Sequence, residues 1–85
     1  MREDVEWGYR IIDILKQRRQ QRYIPGYQST GEVCVYPDER IVVVKTILTS
    51  YEKVCYYRII EPLKEIAEEV LQEYFPGWTH QIEIR

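Results

Sequence analysis

At 85 residues and 10.4 kDa the chain has the size of one domain, read as spanning 1–85. Hydrophobic residues at 45% and charged residues at 31% argue against disorder, and no apolar run nears the ~20 residues of a membrane span. A net charge of −2 excludes a bulk attraction to nucleic acid or an anionic membrane.

The opening Met1-Arg2-Glu3-Asp4 places two acids ahead of any apolar stretch and does not read as a secretory signal. A first helix is expected from Arg2 or Glu3 to Arg22. Val5, Trp7, Tyr9, Ile11, Ile12, Ile14 and Leu15 share one broad arc of its wheel, opposite Glu6, Arg10, Asp13 and Gln17. Gly8 is a weak point in it, by about 1 kcal/mol relative to alanine. Past Leu15 the greasy arc turns cationic, with Arg18, Arg19 and Arg22, so the helix is expected to outrun the core. Tyr23 to Gly31, with its Pro25-Gly26 turn signal, reads as the longest loop.

Gly31–Tyr36 and Arg40–Leu48 are β-rich runs around Pro37-Asp38-Glu39, the pattern of a hairpin. A connection of residues 37–40 sets Tyr36 opposite Ile41, Cys34 opposite Val43 and Glu32 opposite Lys45, the last pair being of opposite charge. Thr49-Ser50-Tyr51-Glu52 has the form of a capping box. The apolar residues of Tyr51–Ile60 nevertheless scatter around a helical wheel, and Val54-Cys55-Tyr56-Tyr57 is dense in strand formers. Residues 53–60 are therefore read as a third strand. The rival is one helix from Ser50 to Phe75, kinked at Pro62.

Glu61-Pro62 opens the second helix, with Leu63, Ile66, Ala67, Val70, Leu71 and Tyr74 on one face. Its other face is acidic, with Glu61, Glu65, Glu68, Gln72 and Glu73. Phe75-Pro76-Gly77 stops it. In the tail, His80, Ile82 and Ile84 alternate with Gln81, Glu83 and Arg85, which suits an edge strand. The expected fold is α+β: a small antiparallel sheet in the element order α-β-β-β-α-β, with two helices packed on one face.

Alternation then sorts the meander. Val33, Val35, Val42, Val44, Leu48, Cys55, Tyr57 and Ile59 form the face the helices cover. Glu32, Cys34, Tyr36, Ile41, Val43, Lys45, Ile47, Val54, Tyr56, Arg58 and Ile60 form the other. Two helices on one side would leave that second face bare, a patch of several hundred Å² that monomers seldom leave unused.

Little in the chain carries catalytic chemistry. His80 is the single imidazole and has no serine or cysteine near it in sequence. One histidine and two separated cysteines fall short of a zinc set, and no phosphate-binding glycine loop is present, so no catalytic residue, metal or cofactor is assigned. Cys34 and Cys55 are read as free, partly buried thiols ~9–10 Å apart on strands flanking a common neighbour. That suits a reducing, cytoplasmic setting.

The reading is a non-enzymatic binding or regulatory protein acting through protein–protein association, a homodimer or a complex with a protein partner. Its interface residues are Tyr36, Val43, Lys45, Tyr56 and Arg58, of types enriched at interfaces or set among them. The alternative is a nucleic-acid binder. It would use Lys16, Arg18, Arg19 and Arg22 on phosphates, with the sheet tyrosines as stacking platforms. The α-β-β-β-α order resembles that of double-stranded-RNA-binding domains in topology alone, since Glu61-Pro62-Leu63-Lys64-Glu65 is acidic where that family carries lysines. A second alternative is a small enzyme or ligand-binding protein with a pocket under the Tyr23–Gly31 loop.

Overall fold

The computed structural model describes residues 2–85. Five elements follow in order: α1 (Val5–Gln20), β1 (Tyr27–Tyr36), β2 (Ile41–Tyr51), α2 (Tyr57–Tyr74) and β3 (Thr79–Ile84). The fold is α+β, a three-stranded sheet in the order β1-β2-β3 with two helices on one side.

Asp4 caps α1 by accepting a 3.1 Å hydrogen bond from the Trp7 N–H, which satisfies one of the donors the first turn leaves free. The Asp4 N–H in turn donates to the Val35 carbonyl on β1 (2.8 Å), so the start of α1 is tied to the edge of the sheet. The helix comes closest at Gly8. A Cβ there would lie 2.5 Å from the Val33 carbonyl oxygen. What looked like a weak point in the helix is the position that lets the backbone approach β1. Ile11 and Leu15 are buried below it, while Val5 and Tyr9 from the same arc remain exposed.

The hairpin has the anticipated register: Tyr36 opposite Ile41, Cys34 opposite Val43, Glu32 opposite Lys45. Arg40 closes the turn at φ 55, in the left-handed region, and its N–H donates to the Pro37 carbonyl. The strands run further than expected. β1 begins at Tyr27, so most of the Tyr23–Gly31 segment expected as a loop is strand, and β2 continues to Tyr51 past a register shift at Gln28/Ser29.

The expected third meander strand is absent. Tyr57–Ile60 is the first turn of α2, and residues 52–56 form the connection to it. Ile59 decides the outcome. It stands four residues before Leu63 and seven before Ile66, on the stripe α2 buries, and its side chain is fully buried. Burying it outweighs the local strand propensity of Val54-Cys55-Tyr56-Tyr57. It also outweighs the cost of Pro62, which lies inside the helix and removes one N–H from its ladder.

The sheet is completed by β3, which runs parallel to β2, pairing Val42 with His80, Val44 with Ile82 and Thr46 with Ile84. A hairpin can join only antiparallel neighbours. A parallel neighbour needs a crossover of a dozen or more residues, and α2 with its flanks is that crossover. The sheet is therefore mixed rather than antiparallel, in the order α-β-β-α-β. α1 and α2 lie antiparallel, with Trp7 edge-on to Phe75 at one end and Arg22 bonded to Glu65 towards the other. Together with Val33, Val35, Val42 and Val44 they enclose the core. No helix among the described residues is long and apolar enough to cross a membrane.

Candidate association surface

The side chains facing away from the helices form cross-strand rows, because paired residues in a sheet point to the same side. Tyr36, Ile41 and Thr79 make the first row, and Cys34, Val43 and Gln81 the second. Glu32, Lys45 and Glu83 make the third, and Thr30 pairs with Ile47 beyond it. Tyr36, Ile41, Val43 and Cys34 are half-buried by one another, and Ile47 is 47% exposed. Their counterparts on the opposite side, Val35, Val42, Val44 and Val33, are all buried. At its β1 edge the face is bordered by α1, with Cys34 and Glu32 lining a cavity beside Val5, Tyr9 and Ile12.

The surface is graded. β1 and β2 contribute an aromatic and aliphatic strip, β3 a polar margin of Thr79, Gln81 and Glu83. Lys45 sits in the middle of the charged row, with its Nζ 3.7 Å from the Glu32 carboxylate. Within the strip the Cys34 thiol lies beside Tyr36. Hydrogen bonding to Cys34, and then its charge, push the Tyr36 phenol above its ordinary pKa.

Three of the five expected interface residues, Tyr36, Val43 and Lys45, share this face. Tyr56 and Arg58 do not. Tyr56 is the residue before α2, with its ring 5.6 Å from that of Tyr51, and Arg58 is exposed in the first turn of the helix. Tyr36 pairs with Ile41 at one end of β2 and Tyr56 packs on Tyr51 at the other, so roughly 30 Å of strand separates them. Val54 and Ile60 leave the face for the same reason, and Cys55 and Tyr57 leave the covered one. Cys55 is exposed in the connection rather than on a strand beside Cys34. Their places are taken by Thr79, Gln81 and Glu83. The alternation of that strand was readable, but not that it would lie beside β2.

The four basic residues at and just past the end of α1, Lys16, Arg18, Arg19 and Arg22, have divergent roles. Arg18 forms an ion pair with Glu73 at 2.5 Å, which raises its pKa, and Arg22 pairs with Glu65, both glutamates on α2. These arginines join the helices rather than forming an unopposed cationic strip. Lys16 is exposed, and Arg19 turns inward to Thr46. His80 hydrogen-bonds through Nε2 with the Phe75 carbonyl (2.7 Å), which ties β3 to the end of α2. Among the described residues, no group of three or more histidine, cysteine, aspartate or glutamate side chains is arranged to hold a metal ion. No protein-family model, curated protein or solved structure matches this chain.

Proposed function

We propose that the chain is a non-enzymatic association module that pairs with a second copy of itself through the open face of the sheet. The observation that carries this reading is the strip Tyr36–Ile41–Val43–Cys34–Ile47, uncovered while the equivalent opposite face is sealed by two helices. A soluble surface rarely keeps such a strip without a use. The face is suited to its own copy. A two-fold contact sets the apolar strips together, with the Glu32–Lys45–Glu83 row crossing the face between Val43 and Ile47, where both signs of charge are available to pair.

Its size sets the strength. Three strands at ~4.8 Å spacing, with six or seven residues at ~3.3 Å rise, span roughly 15 by 20 Å. That is below the ~800 Å² per partner of a standard interface even when side chains are counted. The expected dimer is therefore a weak one, with a dissociation constant of about 1–100 μM. The unpaired thiols Cys34 and Cys55 fit a reducing, cytoplasmic setting for it.

Sedimentation across the micromolar range tests the proposal. The wild-type chain should pass from monomer to dimer with rising concentration. Val43→Arg should hold it monomeric, because it places an unpaired guanidinium at the centre of the contact while leaving the buried face untouched. Its circular dichroism should be unchanged. A wild-type chain that is monomeric at several hundred micromolar, or a Val43→Arg variant that still dimerises, contradicts the reading.

A further inference from the structure

Arg18 and Arg22 each have a carboxylate; Arg19, the residue after Arg18 in α1, has none among the described residues. Its Nη2 donates to Thr46 Oγ1 at 3.1 Å, and Tyr27 lies near it. Its Nε is buried with no hydrogen-bond partner. Burial pulls its pKa down from the usual arginine value, against the opposing influence of Tyr27. A largely buried cation held only by neutral oxygens is costly unless something negative joins it.

The surroundings supply a place for that group. A half-open cavity of about 320 Å³ lies between α1 and the β1–β2 hairpin, where Lys16 and Arg19 of the helix and Ser29 and Thr46 of the strands meet the aliphatic Ile12 and Leu15. Two cations, Lys16 and Arg19, line it from the helix, and the carboxylate of Glu32, on the outward face of β1, is paired with Lys45. The hydroxyls of Ser29 and Thr46 supply further donors.

We propose that this cavity binds a small oxyanion of the phosphate class, either inorganic phosphate or the phosphoryl group of a small monoester, with Lys16 and Arg19 as its cationic partners. Arginine suits the task because its fixed fork of N–H donors matches phosphate oxygens and it stays charged when partly buried. The cavity is at the small end for ligand sites, large enough for a phosphate and a modest substituent. A nucleic-acid backbone is the less suited occupant: it needs a continuous open track of cations, and Arg18 and Arg22 beside the cavity are held by glutamates.

Nuclear magnetic resonance titration of the intact chain tests this, with sodium phosphate and phenyl phosphate each compared with sodium chloride at matched ionic strength. Saturable shifts at the Arg19 side-chain Nε–H and at the Lys16 and Thr46 amides are the expected result. Saturation by phosphate alone identifies the free ion, and tighter saturation by phenyl phosphate identifies a monoester; either supports the site. Lys16→Gln, at an exposed position, should weaken binding roughly tenfold with stability unchanged, and Arg19→Gln should abolish it. No saturable shift up to 50 mM phosphate overturns the proposal. So does full binding by Lys16→Gln, or saturation by a single-stranded oligonucleotide where neither small anion saturates.

Discussion

Ile59→Ala is expected to lose about 2–5 kcal/mol, as deletion of a fully buried branched side chain does in other cores. A chain of this length has ~5 kcal/mol in total, so the variant should be partly unfolded at room temperature. The size of the effect follows from position. Ile59 is fully buried near the start of α2, where Pro62 has already interrupted the hydrogen-bond ladder and no side chain caps the first turn. That turn is held by packing more than by its own backbone. Tyr57→Ala, two residues earlier at 66% exposure, should cost well under 1 kcal/mol. Urea denaturation of the two variants checks this. Similar midpoints would mean that the first turn of α2 is not anchored through Ile59.

Gly8→Ala should destabilise the protein, although helix propensity alone predicts a gain of about 1 kcal/mol. The added methyl would stand 2.5 Å from a backbone oxygen of β1, which cannot swing away as a side chain could. Relief requires α1 to lift from the sheet edge. Lifting strains the bond from the Asp4 N–H to Val35 and loosens Ile11 and Leu15, both buried beneath the helix. A net loss of about 1–3 kcal/mol is expected, typical of forcing atoms into a filled space. Thermal unfolding read by circular dichroism decides the sign, and a higher midpoint for Gly8→Ala would show that α1 does not sit this close to β1.

Both positions also mark what local pattern conveys. The stripe of α2 from Leu63 to Leu71 and the alternation at Thr79–Arg85 were readable because each period repeats within one element. The register of the hairpin was readable because a four-residue turn with opposite charges at Glu32 and Lys45 admits few alternatives. The segment 53–60 was misread because it straddles a boundary. Residues 52–56 follow no helical period, and their scatter hid the fact that Ile59 continues the stripe of α2. The longer helix set against that strand had the right type for Tyr57–Ile60, though it began too early.

The place of β3 could not be read from alternation. A strand's own pattern says which residues share a face, not which neighbour it joins or in which direction. The same limit shaped the candidate site. Tyr36, Val43 and Lys45 share the expected face because they lie within one hairpin, whereas Tyr56 and Arg58 were assigned to the face on a strand that does not form. Gly8 was read as a defect because the Val33 carbonyl that explains it lies 25 residues away in sequence.

The two thiols offer the most direct measurement of the open-face account. Cys34 lies in the strip between Tyr36 and Glu32, beside Val43, and Cys55 is exposed in the connection before α2. Labelling of both by one thiol reagent, followed by mass spectrometry from low to several hundred micromolar protein, separates them within a single molecule. Association through the sheet should slow Cys34 labelling at least several-fold as the dimer fills, with Cys55 unchanged and serving as the internal reference. A Cys34 rate that stays constant over the whole range would contradict the account.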